Sequence, residues 1–202
     1  MSEEQKGRTG IGKILASEIT VGILVAVLSI MTAFAAYQGS LADSAEADAN
    51  VEGQKVLSLS NTEFLRANQD IIQDYTMFDG YYLNQDTNEE AATYYQENFS
   101  EALTASMERE EGPFDDPYYE AIYLDADESY DEAMTKFDEA QAAGDKADQY
   151  QLVVLVFAVA LSLVAWASLV DEESKMRVAF VVVSLAVSAY GLFVFLGLFL
   201  GA

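Results

Sequence analysis

Residues 116–170 read DPYYEAIYLDADESYDEAMTKFDEAQAAGDKADQYQLVVLVFAVALSLVAWASLV. Tyr123, Tyr130, Phe137 and Gly144 recur every seven residues, interleaved with Ala126, Ala133, Ala140 and Ala147. A seven-residue recurrence marks a helix that packs along one seam, here with aromatic knobs against alanine holes. The register runs past Asp148 into an uncharged run, Gln149 to Val170. Crossing bilayer hydrocarbon takes about 20 apolar residues at 1.5 Å rise each, and this run supplies them. The stretch therefore predicts one long helix, acidic in its first half and membrane-spanning in its second.

Two more such runs lie outward from it. No charge falls between Ile19 and Leu41, and residues 19–37 are dense in Val, Ile, Leu, Ala and Phe; the other run is Val178 to Ala202, with a span expected over 178–200. Lys6, Arg8 and Lys13 precede the first span, and Lys175 and Arg177 sit in the short loop 171–177, so half of the 10 cations occupy two short flanks. Positive flanks stay in the cytoplasm. The expected topology is a multi-pass protein of the plasma (inner) membrane, with tail 1–18 and loop 171–177 cytoplasmic, and region 38–148 and Ala202 outside. A cleavable signal peptide is the alternative for the first span, since Lys13, the apolar run and Ala33-Phe34-Ala35 imitate its three parts. Against it, Gly22, Ala26, Ser29, Ala33, Ala36 and Ser40 alternate four and three apart along one helix face. Such a stripe lets another helix approach closely. Within the spans the polar groups are hydroxyls such as Ser29, Thr32, Ser162, Ser168, Ser184 and Ser188, without the mid-membrane carboxylates or amines of ion-coupled transporters. An oligomeric channel lined by hydroxyls is a lesser reading.

Between Gln38 and Asp148 lie 28 acidic and 5 basic residues, a net −23 out of the chain's −24. Three helical stretches are expected here. The first continues from the membrane to about Met77, with Leu57, Phe64, Ile71, Tyr75, Phe78 and Tyr82 on a heptad-like seam shared with Asn61 and Asn68. Asp79-Gly80 and Asn84 to Asn88 read as turns. A second helix is expected from Thr87, where Thr87-Asn88-Glu89-Glu90 has capping-box spacing, to about Arg109. Glu111-Gly112-Pro113-Phe114 is a break, and Asp116 as N-cap with Pro117 at the first helical position launches the third helix. The expected architecture is all-α: three transmembrane helices and an extracytoplasmic antiparallel helical bundle formed partly by extensions of the first and second spans. Its core is expected to be rich in Tyr, because aromatics at helical spacing read as core before they read as a ligand cage.

Composition narrows the chemistry. Cysteine and histidine are both absent, which removes disulfides, thiolate nucleophiles, imidazole bases and the usual zinc and haem ligands. A net charge of −24 repels nucleic acid. Asp125 to Asp131 begins like a calcium loop, but its sixth position is Tyr130 instead of Gly and its twelfth is Lys136 instead of Glu. Weak, diffuse binding of divalent cations by the acidic surface is the remaining metal expectation. Ala133-x-x-x-Phe137-x-x-Ala140 resembles part of a tetratricopeptide repeat but occurs once, where a stable array needs about three. Chance carboxylate pairs abound and nothing selects one as an acid/base pair. Strong acidity with few Lys also fits a saline medium. No catalytic, cofactor-binding or metal residue is assigned.

Tyr37-Gln38, Gly112-Pro113-Phe114 with Tyr118, and Asp145-x-x-Asp148-x-Tyr150-x-Leu152 entering two closing spans form a familiar arrangement. In it the chain resembles a group of uncharacterised prokaryotic membrane proteins with an external helical domain. The resemblance implies the three-span architecture and carries no activity to any residue. The function expected is non-enzymatic: a structural, assembly or accessory subunit, as a homo-oligomer or within a larger membrane complex. The alternative is an extracytoplasmic sensor or ligand-binding protein, whose plan of a helical domain between two spans is the same.

Overall fold

A computed structural model describes residues 10–201. Lys6, Arg8 and Ala202 lie outside the described residues, as does the side chain of Lys13. The described residues form helices α1 (Gly10–Leu15), α2 (Glu18–Asn84), α3 (Glu89–Glu97), α4 (Glu101–Met107), α5 (Asp116–Leu169) and α6 (Lys175–Leu200), with no strand among them. The two prolines, Pro113 and Pro117, stand before α5 and in its first turn, so no proline breaks the backbone ladder of the 67-residue α2 or the rest of the 54-residue α5. Helices α2, α5 and α6 are each long and apolar enough to cross a membrane. The chain divides into two compact units. One is drawn from the two ends of the chain, up to Ala47 and from Ala140 onward; the other is Asp48–Glu139.

The first unit packs the start of α2, the end of α5 and α6 around one apolar core. Val21, Leu28 and Ala35, seven residues apart on α2, are buried against Val153, Phe157 and Val164 of α5 and Val181 of α6. Phe195 of α6 lies 5.6 Å from the Phe34 ring and 6.0 Å from that of Tyr150, joining all three helices. Ser184 donates across the helix pair to the Ala160 carbonyl at 2.8 Å, so this buried hydroxyl is satisfied. The outward faces are apolar as well: Ile19, Ile30, Trp166, Phe193 and Leu200 are all exposed. A surface of that kind belongs in hydrocarbon rather than water.

Gly191 marks a close approach of α6 to α5. A Cβ there would stand 2.9 Å from both the Phe157 ring and a Val156 methyl, whereas one at Gly197 would meet nothing within 4 Å. Gly191→Leu is expected to cost about 1–3 kcal/mol by overpacking and Gly197→Leu almost nothing. Thermal aggregation of the two variants in mild detergent separates them; equal midpoints would refute the tight approach.

In the second unit α2 and α5 run antiparallel. Ser60 Oγ donates to the Ala126 carbonyl at 2.9 Å, while further along α2 and earlier on α5 Asp74 accepts from Tyr118. The wholly buried line on α2 is Gly53, Ser60, Ala67 and Asp74, one heptad apart, and on α5 it includes Ala126 and Ala133. Here the expectation of a Tyr-rich core is corrected. Small residues fill the centre of the α2–α5 seam so that two backbones come close, and most aromatics flank it, although Tyr118 is wholly buried. Phe64 stacks on Tyr123 at 5.2 Å, Phe137 lies against Gly53, and Tyr130 stays 48 % exposed.

Three local expectations also give way. Asp79-Gly80 is no turn, because α2 continues to Asn84; Gly80 is needed where the Tyr95 ring would stand 2.5 Å from any Cβ. The helix expected from Thr87 to Arg109 is two helices, and Asn88, not Thr87, caps the first by accepting from the Ala91 N–H. At the start of α5 the cap is Asp115 instead of Asp116: its Oδ1 accepts from the Tyr118 N–H at 3.1 Å.

Candidate functional site

The densest polar constellation in the second unit forms around Asp74. The heptad that buries Gly53, Ser60 and Ala67 also carries this carboxylate inward, to 2 % exposure. Its Oδ1 accepts from the Ser100 N–H at 3.0 Å, and its Oδ2 accepts from the Ser100 hydroxyl and, at 2.9 Å, from the Tyr118 hydroxyl. Ser100 Oγ in turn accepts from the Leu103 N–H at 3.0 Å, which makes Ser100 the N-cap of α4. One side chain on α2 thereby holds the cap of α4 and the first turn of α5 together.

Rings close over this cluster. Phe114 stacks on Tyr75 at 4.1 Å and meets Phe78 and Tyr118 edge-on at 5.5 and 5.1 Å. To reach that place the backbone takes φ 66° at Phe114, a left-handed conformation that costs a bulky residue strain, two residues after Gly112 at φ 85°. Buried Ser106 holds the strained loop, donating to the Gly112 carbonyl at 3.1 Å and accepting from the Phe114 N–H at 3.0 Å. Arg109 clamps it with a bidentate grip on Asp115, through Nε and, at 2.7 Å, through Nη2.

The ionisations follow from these contacts. Burial, then the hydrogen bond to Asp74, raises the Tyr118 phenol well above its ordinary value. Tyr119 is pushed up to about 12, first by its hydrogen bond with Tyr75, then by burial. The Arg109 hydrogen bond holds Asp115 below the ordinary 3.8. A carboxylate with a depressed folded value contributes stability that is complete above the unfolded value and is lost as pH falls through the folded one. Arg109→Gln is therefore expected to lower the melting temperature by a constant amount from pH 7 to about 5, a difference that shrinks below about 4. Melting curves across that range test it; a difference that grows in acid would refute the clamp.

A second buried charge lies in the first unit. Arg177, in the first turn of α6, is 3 % exposed. Its Nη1 donates to the Val170 carbonyl at 3.0 Å and its Nη2 lies 3.8 Å from Glu172 Oε1, the oxygen that accepts from the Glu18 N–H at 3.0 Å. Arg177 and Glu172 thus tie the start of α2 to the α5–α6 connection. In the sequence Arg177 served only as a topology signal.

What this arrangement offers chemically is architecture. Both oxygens of Asp74 are occupied by donors of the fold, and Ser106 and Ser184 are likewise engaged. Residues 125–131, which begin like a calcium loop, are helical within α5, and among the described residues no cluster of three metal-ligating side chains is assembled. Ala133, Phe137 and Ala140 are helix-packing positions. Asp74, Ser100 and Tyr118 escape a sequence reading, although the heptad from Gly53 does point Asp74 inward.

Fold and site together define an all-helical protein with three helices able to span a membrane and a polar cluster that braces its acidic unit. No family model matches the chain, and no curated protein or solved structure matches it.

Proposed function

We propose that this chain is a non-enzymatic integral membrane protein that acts as a structural, assembly or accessory subunit through its acidic helical unit. The observation that carries this reading is on α2, where Val51, Leu65 and Ile72, at multiples of seven residues, are all more than half exposed in a strongly acidic unit. Apolar side chains at regular helical intervals on a water-facing surface mark a contact for another protein. The unit's buried polar groups support the same reading, since they hold the helices together instead of facing a cleft.

The proposed setting is the plasma (inner) membrane, with the N-terminus in the cytoplasm and the acidic unit and C-terminus outside. Lys175 and Arg177 between α5 and α6, and the acidic excess of 38–148, support that orientation. Native mass spectrometry of the protein gently extracted from its own membranes tests the function. Multiples of the chain mass, or additional protein masses, are expected; a monomer alone would overturn it.

A further inference from the structure

We infer that the contact is with a second copy of this chain, through a parallel pairing of two α2 helices along one face free of carboxylates. This rests on the assembly reading and names its partner. The face opposite the buried line of α2 contains Val51, Ser58, Leu65 and Ile72, seven residues apart, with Lys55, Thr62 and Gln69 between them and Thr76 after them. All are exposed, Leu65 by 63 % and Ile72 by 66 %. Traced back through Ala47 and Ser44, the same spacing of three and four joins the exposed stripe from Gly22 to Ser40. A Cβ at Gly22 would meet nothing within 4 Å.

Charge identifies the occupant. Beyond Glu18, α2 carries eight carboxylates, Asp43 to Asp79, and none falls on this face. A basic partner would seek the acidic surfaces. Two chains that each carry a net −23 between Gln38 and Asp148 can approach only where carboxylates are missing, and this face is such a place. Lys55, the one charged residue on it, is held by Glu52 at 3.4 Å, and a single Lys in a helical seam fixes register at some cost in stability.

Residue type identifies the direction. The face is Gly, Ala and Ser along the part read as spanning the membrane and gains Val, Leu and Ile beyond it. Small residues allow close helix approach in lipid, where apolar burial gives no drive, and aliphatic residues supply burial in water. A helix that matches both must enter the membrane at the same level and run the same way, as a second α2 does. From Gly22 to Thr76 the face offers sixteen positions per copy, which with their flanks approaches the roughly 20–30 residues a side of a stable interface.

The absence of cysteine makes the test direct. Single substitutions Ser44→Cys, Ser58→Cys and Thr62→Cys, oxidised in native membranes, are expected to give chain-to-chain disulfides. Thr135→Cys, exposed on α5, serves as the control and is expected to give none. In the Ser58→Cys background, Leu65→Glu is expected to reduce the cross-linked fraction several-fold. Because both changes are on an exposed face, the folded chain remains available for the measurement. No cross-linking at the three positions, or equal cross-linking at Thr135→Cys, overturns the inference. If native mass spectrometry then shows the chain with other proteins, the subunit reading survives; a monomer alone removes both.

Discussion

Asp74→Ala is expected to destabilise the second unit by about 2–4 kcal/mol, the largest loss from any single polar group in that unit. The substitution strands three donors that the carboxylate now satisfies: the Ser100 N–H, the Ser100 hydroxyl and the Tyr118 hydroxyl. An orphaned buried donor costs about 1–3 kcal/mol. The sum stays below three full penalties because the hydroxyls can turn and because a buried carboxylate no longer has to be desolvated. Asp74→Asn separates these effects. Its oxygen can still accept from Ser100 N–H, but its amide must donate to the two hydroxyls, whose own protons then lose their acceptor, so about half the loss is expected.

The fault should be local before it is global. With the Ser100 cap weakened, the connection between α3 and α4 becomes the first place to open, and limited proteolysis should cut at residues 98–101 sooner than in the parent chain. Near-ultraviolet circular dichroism should lose signal from the rings packed around Phe114 while the helical signal persists. Parent-like melting and cleavage in Asp74→Ala would mean that the aromatic shell alone holds this region together.

The contrast between what the sequence discloses and what it withholds has a physical pattern. Helices α2, α5 and α6 were legible because lipid crossing demands long charge-free runs, and the passage of α5 across residue 148 was legible because a heptad is a local regularity. The break at Asn98–Ser100 was not, since Ser100 caps α4 while held by Asp74, 26 residues away, a contact that leaves no local pattern. Asp79-Gly80 misleads for a related reason: glycine serves turns and close approaches alike, and only the Tyr95 ring decides between them. Arg177 looked like one more positive flank, yet its burial depends on the Val170 carbonyl and Glu172. The seven-residue pattern on α5 does mark a packing seam, but its inner line is alanine and not tyrosine. A heptad of Tyr and Ala has two candidate inner lines, and only the partner helix shows which one faces in.

The choice of inner line can be tested at Ala133. Ala133 is fully buried on the line that α5 turns toward Gly53, Ser60 and Ala67. Leucine there adds three carbons where helix backbones are close enough for Ser60 Oγ to reach the Ala126 carbonyl at 2.9 Å. Helix propensity is nearly the same for the two residues, within a few tenths of a kcal/mol, so any loss reports packing. Overpacking of this kind costs about 1–3 kcal/mol and more where backbones must separate; Ala133→Leu is placed at the upper end because a helix, unlike a side chain, cannot rotate away. The exposed Thr135→Leu on the same helix is expected to stay within about 0.5 kcal/mol of the parent. Urea unfolding in mild detergent compares the two. Were Ala133→Leu as stable as Thr135→Leu, the alanine line would not be the contact between α2 and α5, and the flanking aromatics would have to be the true core.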